Sequence, residues 1–181
     1  RAVVGLTVLE FPPPWASDAD DYLRKGLAVR DAWRGHPGIS FSLAPHAPYT
    51  VSDATFQRVR ALADELDLPI HTHVHETATE IREAVAEHGM RPLARLARLG
   101  VLGENLIAVH AVHLDDTDIE LLAHHGCSVA HCPTSNMKLG SGIAPATRLL
   151  SAGIRLGLGS DGAASNNRID LFQEMRHAAL L

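Results

Sequence analysis

Aromatic side chains make up only 4% of the 181 residues, and acidic residues outnumber basic residues by 21 to 16. A nucleic-acid-binding surface needs a basic face and aromatic side chains on which bases stack, so this composition argues against such a protein. Two cysteines are too few for a disulfide framework, and we therefore expect a reducing, cytoplasmic setting. No apolar run approaches the roughly 20 residues of a membrane span, so we expect neither a membrane segment nor a signal peptide.

Hydrophobic residues account for 46% of the chain, which is enough for a sizeable core. No break in composition marks a boundary, and we predict one domain over residues 1–181. The chain opens directly in strand character, at RAVVGLTVLEF. Because domains rarely begin inside a strand, we expect this chain to be a piece of a longer protein.

Apolar strand-like runs alternate with helical patterns along the whole chain. The predicted strands are Ala2–Glu10, Ile39–His46, Leu68–Glu76, Leu106–His113, Ser128–Pro133 and Arg155–Asp161. The predicted helices are Asp18–Trp33, Ser52–Asp67, Thr77–His88, Arg91–Leu99, Asp115–His125 and Pro145–Ala152, with another opening near Asp170. This alternation predicts an α/β fold with a parallel sheet and right-handed crossovers. No glycine-rich turn follows an early strand, as a dinucleotide-binding sheet requires, so we predict part of a (β/α)₈ TIM barrel.

Histidine is abundant, with twelve residues, and several stand where predicted strands end. The segment HTHVHE places His71, His73 and His75 at alternate positions and Glu76 directly after them. Alternate residues of a strand share a face, so we expect all three imidazoles to look into the barrel. One of them would lie at a depth suited to a metal, while the others pack against it or orient it.

Two further strand ends carry candidate site residues. In LIAVHAVH we expect either His110 or His113 to face inward at the strand end and the other to begin the loop. In LGLGSDG, Asp161 ends the last predicted strand, where a buried carboxylate needs a cation, a metal or hydrogen-bond donors. A simpler role for Asp161 is to cap the following turn. Imidazole and carboxylate groups are ligands of Zn²⁺, and a separate carboxylate and histidine can move protons beside it.

Four segments, SLAPHAPYTVSD, HTHVHE, HCPTSNMKLGSG and LGLGSDGAASNN, resemble the amidohydrolase superfamily. The resemblance is closest to the branch that holds 5′-methylthioadenosine/S-adenosylhomocysteine deaminases and triazine hydrolases, and it covers essentially the whole chain. It implies a (β/α)₈ barrel beside a small β-sandwich, of which this chain would hold about strands 3 to 8. It also implies one catalytic Zn²⁺ per subunit, or Fe²⁺ in some relatives.

The same resemblance implies a role for each matching residue. His73 corresponds to the fifth-strand metal ligand, and Asp161 to the eighth-strand ligand that also handles the proton of the attacking water. Glu76 corresponds to the residue that protonates the substrate ring nitrogen. His110 corresponds to the histidine that holds or polarises the water.

The substrate implied by the resemblance is a small molecule, either an adenosine-like nucleoside or an s-triazine. His46 corresponds to a substrate-contacting histidine, and Ser165 is expected to line the same pocket as His46 and Glu76. A nucleoside deaminase would release ammonia from carbon 6 of the purine, whereas a triazine hydrolase would release chloride or an alkylamine. Association of identical subunits is left open.

The sequence also departs from the pattern of this family. A first-strand His-x-His pair, which supplies two metal ligands, does not precede residue 1, and the C-terminal sandwich segment is absent. If His71 and His73 were that pair, Asp161 would come too early in the barrel, so the fifth-strand assignment is preferred. A third hypothesis follows, in which the chain alone is a non-catalytic piece with two unpaired sheet edges. We expect the isolated chain to be inactive and prone to association.

Overall fold

The coordinates are a computed structural model that describes residues 1–11 and 14–181. The proline-rich segment FPPPW, for which the sequence predicts a stiff loop, includes residues 12 and 13, which lie outside the described residues. Within the described part of the chain, no helix has the length and apolar character needed to cross a membrane.

Six parallel strands form one sheet, and their order in space follows their order along the chain. The strands are β1 (Ala2–Val8), β2 (Ile39–Pro45), β3 (Ile70–Val74), β4 (Leu106–His110), β5 (Ser128–His131) and β6 (Arg155–Leu158). The order of a doubly wound sheet reverses partway, whereas the strands of a (β/α)₈ barrel follow one another in sequence. The predicted α/β class and the strand order of a partial barrel are therefore confirmed. Among the described residues, β1 and β6 are the two edge strands.

Helices connect the strands and cover the sheet. They are α1 (Ala19–Ala32), α2 (Asp53–Leu66), α3 (Ala78–His88), α4 (Pro92–Arg98), α5 (Asp116–His124), α6 (Pro133–Leu139), α7 (Ala146–Ser151) and α8 (Leu171–Leu180). Every helix predicted from the sequence is present, and α6 is an addition. The prediction for β5 extended to Pro133, but a proline has no N–H for the ladder and is favoured in the first turn of a helix. Gly140 ends α6 in the left-handed conformation, with φ of 69°.

The core lies between the strands and the covering helices. Leu43, Ile70 and Leu106 occupy three neighbouring strands and are fully buried, as is Phe56 of α2. Burying a side chain of this size contributes about 1.5–3 kcal/mol relative to leaving it in water. The packed layer therefore holds the carboxyl ends of β2, β3 and β4 in a fixed relation. Within the sheet, Val74 pairs with His110, so the ends of β3 and β4 lie level.

Candidate functional site

Three histidines from separate parts of the chain meet at the carboxyl edge of the sheet. His46 directly follows β2, His73 is the fourth residue of β3, and His110 is the last residue of β4. The ring centroids of His46 and His73 are 5.0 Å apart, and those of His73 and His110 are 5.2 Å apart. In parallel α/β folds, ligands bind at this edge, so the three predicted site histidines lie where a site is expected.

His75 does not share the face of His71 and His73, and this part of the sequence prediction was wrong. β3 ends at Val74, and the backbone of His75 has a φ of 57°, which turns its side chain off the strand. The ring is fully buried, its Nδ1 lies 3.1 Å from the carbonyl oxygen of His113, and its Nε2 accepts the N–H of Leu93 at 3.0 Å. His75 therefore joins β3 to α4 as a neutral imidazole, with Nδ1–H as donor and Nε2 as acceptor.

This buried imidazole makes the fold sensitive to acid. Burial lowers the pKa of His75 from 6.5 to about 4, although Asp118 opposes the shift. In the unfolded chain His75 is protonated as the pH falls below 6.5, whereas in the folded chain it stays neutral down to about pH 4. The contribution of His75 to the free energy of unfolding is therefore largest above pH 6.5 and is lost as the pH falls toward about 4. At 1.36 kcal/mol per pKa unit, the loss over that range is roughly 3 kcal/mol.

We expect urea unfolding to give a lower free energy of unfolding at about pH 4.5 than at about pH 7. His75→Gln should reduce this difference, because the amide does not titrate, whereas the exposed His36→Gln should leave it unchanged. Equal losses in the wild type and in His75→Gln would show that His75 is not responsible.

Glu76 is fixed both through its side chain and through its backbone. Its Oε1 accepts a hydrogen bond from the hydroxyl of Ser141 at 3.1 Å, and its Oε2 lies 3.7 Å from Nε2 of His110. The buried carboxylate of Glu80 accepts the N–H of His75 at 2.9 Å and the N–H of Glu76 at 2.8 Å. The chain thus turns Glu76 over the histidines, as its position directly after the strand predicts.

His110 occupies a strained position at the end of β4. Its φ is 71° and that of Ala111 is 48°, in the left-handed region that non-glycine residues rarely adopt. Its Nδ1 lies 2.8 Å from Oδ1 of Asn136, so an Nδ1–H donates there and Nε2 is left as an acceptor. His113 begins the following loop, so the expectation that only one of the two histidines faces inward is confirmed. Strain of this kind persists where surrounding contacts hold it, and it concentrates at functional sites.

Asp161 follows β6, also with a positive φ of 58°, and its carboxylate is the acceptor of three hydrogen bonds. The hydroxyls of Ser135 and Ser165 donate to Oδ2 at 2.7 and 2.6 Å, and the N–H of Gly162 donates to Oδ1 at 2.7 Å. Burial raises the pKa of Asp161, but these hydrogen bonds more than offset it, so the pKa lies below its usual value. Asp161 is therefore ionised at neutral pH, and it also caps the following turn through Gly162.

His73 has the protonation state that a metal ligand needs. Burial, followed by the neighbouring His110 and His46, lowers the pKa of His73 to about 4, so the imidazole is neutral at pH 7. The carboxylate of Asp161 acts in the opposite direction on this pKa. His73 lies near the end of β3 and Asp161 just after β6, so both stand at the carboxyl edge of the same sheet.

The ligand set for a metal is incomplete in this chain. His73 and Asp161 supply an imidazole and a carboxylate, both of which Zn²⁺ accepts, and a catalytic zinc usually has three protein ligands. Residues 1–11 and 14–181 contain no group of three His, Cys, Asp or Glu side chains that could hold a metal ion. His73 and Asp161 would therefore supply at most part of a coordination shell. Burial raises the pKa of Cys132 to about 12, so this thiol is protonated at neutral pH.

Besides Glu76, the two other predicted substrate-binding residues differ in their surroundings. His46 is half-buried beside Tyr49, and its Nδ1 lies 2.9 Å from the hydroxyl of Thr50, so only Nε2 can serve a ligand. Burial lowers the pKa of His46, partly opposed by Glu76. Ser165 is buried and its hydroxyl is directed at Asp161. A contact between Ser165 and substrate remains a prediction.

Three residues of the site were missed at the level of sequence. Ser135, Asn136 and Ser141 all come from HCPTSNMKLGSG and contact Asp161, His110 and Glu76 respectively. The segment itself was recognisable, but the helix that carries Ser135 and Asn136, and after which Ser141 follows, was not. The usable signal was Pro133 at the start and Gly140 at the end, which together indicate a short helix.

The chain is similar to known proteins over its whole length. The profile of the Amidohydrolase family matches residues 1–181. The 5-methylthioadenosine/S-adenosylhomocysteine deaminase of Teredinibacter turnerae is 46% identical over 180 residues, which are 99% of this chain and 41% of that protein. The crystal structure of an adenosine deaminase from Xanthomonas campestris with bound zinc has a TM-score of 0.96 and 53% identity, again over 99% of this chain and 41% of that one.

A more distant structure shares the fold alone. Atrazine chlorohydrolase from Arthrobacter aurescens, complexed with zinc, has a TM-score of 0.91 at 24% identity and covers 99% of this chain and 42% of its own. This chain thus spans about two fifths of the length of the proteins it matches. Because the family profile covers every residue from 1 to 181, the chain belongs to the amidohydrolase family.

Proposed function

We propose that the protein containing this chain is a metal-dependent hydrolase that deaminates adenosine-like nucleosides, 5′-methylthioadenosine or S-adenosylhomocysteine. One observation supports the proposal: the rings of His73 and His110 lie 5.2 Å apart and the Glu76 carboxylate lies 3.7 Å from His110, at the edge of the sheet where β6 also leads into Asp161. The names of the relatives with more than 40% identity support a nucleoside as substrate.

His73 and Asp161 would hold one divalent ion, Zn²⁺ or Fe²⁺, together with ligands beyond this pair. Such a metal supplies a Lewis acid that activates water at neutral pH. Metal binding requires a neutral imidazole and an ionised carboxylate. At neutral pH His73 is neutral and Asp161 is ionised without a metal. The zinc named with the Xanthomonas campestris structure favours zinc over iron.

The protein side chains would carry the protons of the reaction. Water adds to carbon 6 of the purine, and its two protons end on the neighbouring ring nitrogen and on the departing ammonia. Glu76 gives the first of these protons to the ring nitrogen, and Asp161 carries the second to the leaving amine. His110 orients the water through Nε2, because its Nδ1 is engaged by Asn136. General acid–base catalysis of this kind contributes about 10²–10⁴-fold to the rate.

The surroundings of these residues also suit a neutral aromatic base. His46 stands beside His73 and can donate or accept at Nε2, which a purine or a ribose hydroxyl could use. Tyr49 packs edge-on against His46 and is more than half exposed, so it is free to contact a ligand. His46 and Tyr49 would therefore contact the nucleoside beside the reacting carbon.

Ammonia release from the full-length protein tests this function. We expect turnover of 5′-methylthioadenosine, S-adenosylhomocysteine or both, and no chloride release from a chlorotriazine. The same preparation treated with a chelator and dialysed should lose activity and regain it with added Zn²⁺. Absence of ammonia from every nucleoside, or turnover of the chlorotriazine alone, would contradict the proposal.

A further inference from the structure

Ser141 contacts Glu76 from a turn that is held in place on both sides. Its hydroxyl donates to Oε1 of Glu76 at 3.1 Å, and the side chain is buried. The N–H of Ser141 donates to the carbonyl of Asn136 at 2.8 Å, which closes the end of α6. Its carbonyl accepts a hydrogen bond from Nε2 of His113 at 2.7 Å. The hydroxyl is therefore positioned by the loop after β4 as well as by the end of α6.

Close packing of the next residue fixes this turn further. Gly142 has a φ of 123°, which only glycine adopts without strain. A Cβ at this position would lie 2.9 Å from Cγ1 of Val112, so the backbone packs directly against the loop that carries His113. Because the two loops touch, Ser141 has little freedom to move away from Glu76.

The two oxygens of Glu76 are consequently not equivalent. Oε1 accepts from Ser141, whereas Oε2 lies 3.7 Å from Nε2 of His110, the residue proposed to orient the water. In a protonated carboxyl group the carbonyl oxygen is the better acceptor and the other oxygen carries the proton. A donor on Oε1 therefore favours the acid proton on Oε2.

We propose that Ser141 is a positioning residue that places the transferable proton of Glu76 on Oε2. The proposal rests on the deaminase function proposed above. In the transfer, the O–H bond at Oε2 breaks, an N–H bond forms on the ring nitrogen of the substrate, and Glu76 is left as a carboxylate. The Ser141 hydroxyl remains bonded to Oε1 and stabilises the negative charge that develops there, as charge-assisted hydrogen bonds do.

Replacement of Ser141 in the full-length protein tests this role. We expect Ser141→Ala to lower kcat for deamination by about 10- to 100-fold, the scale of one hydrogen bond to a charged group, with KM changed by less than about threefold. Ser141→Thr keeps a hydroxyl and should restore most of the lost rate. Ser42→Ala is the matched control, since Ser42 is equally buried but lies in the middle of β2. A wild-type kcat in Ser141→Ala, or an equal loss in Ser42→Ala, would overturn the proposal.

A double-mutant cycle tests whether His113 acts through Ser141. His113→Ala releases the carbonyl of Ser141 and should lower kcat in the same direction. If the two residues act as one unit, the double variant is no slower than Ser141→Ala alone. Fully additive losses would show that His113 affects the reaction by another route and would remove it from the proposal.

A crystal structure of Ser141→Ala separates failure of this proposal from failure of the proposed function. If the wild type releases no ammonia from any nucleoside, the proposed deaminase function is wrong. The orientation of Glu76 can still be measured in that case, because it does not depend on turnover. We expect the Glu76 carboxylate in the variant to leave the position in which Oε2 faces His110. A carboxylate that superposes on that of the wild type would overturn the positioning role whatever the substrate.

Discussion

Replacing Glu76 by glutamine should lower kcat for nucleoside deamination by about three orders of magnitude, within the range of general acid–base catalysis. The glutamine has nearly the same shape, and its carbonyl oxygen can still accept the hydrogen bond from Ser141. It cannot give a proton to the ring nitrogen of the substrate or take one from water. KM should therefore change little while kcat falls, which steady-state ammonia release would measure.

Glu87→Gln is the appropriate control for this variant. Glu87 lies on the same helix, α3, and is exposed to solvent. We expect it to retain the wild-type kcat, and both variants should keep the wild-type metal content. A Glu76→Gln protein that retains more than about a tenth of the wild-type kcat would show that Glu76 does not carry the proton.

Replacing Asp161 by asparagine should remove both the bound metal and the activity. The amide carbonyl can still accept the N–H of Gly162, and the hydroxyls of Ser135 and Ser165 can accept from the amide, so the turn is preserved. The amide lacks the negative charge that a metal ligand supplies and cannot carry the second proton. We expect the zinc content per chain to fall at least about tenfold and kcat/KM at least about a thousandfold.

Elemental analysis and thermal unfolding distinguish this outcome from general damage. Asp116→Asn is the matched control, because Asp116 is an exposed aspartate in the first turn of α5. It should keep both zinc and activity. If Asp161→Asn binds as much zinc as the wild type, Asp161 is not a metal ligand, and the proposed ligand pair is wrong.

The strands and most helices were predictable because each depends on local pattern. Apolar runs define all six strands, and the capping residues Ser52 and Asp115 begin α2 and α5 where the sequence indicates. Helix α6 was missed because it begins only two residues after β5, and its first residue, Pro133, was assigned to the end of that strand. Gly140, which ends the helix, was present in the sequence but was not used as a helix-stop signal.

The candidate site was predictable as far as it depends on strand ends. His73, His110 and Asp161 each lie at or just after a strand, and parallel strands bring such positions to one edge. The orientation of His75 was not predictable, because it follows from a left-handed backbone that an L-residue rarely adopts. The contact of Ser141 with Glu76 spans 65 residues of sequence, and a serine in a loop carries no signal of such a partner.

The position of bound zinc in the full-length protein tests the proposed metal site most directly. Crystals of the full-length protein grown with Zn²⁺ and measured at the zinc absorption edge would locate the ion by its anomalous scattering. The account predicts a single strong peak per chain between His73 and Asp161, about 2.0–2.2 Å from an imidazole nitrogen and a carboxylate oxygen. A peak elsewhere, or no peak in a protein that still releases ammonia from nucleosides, would contradict it.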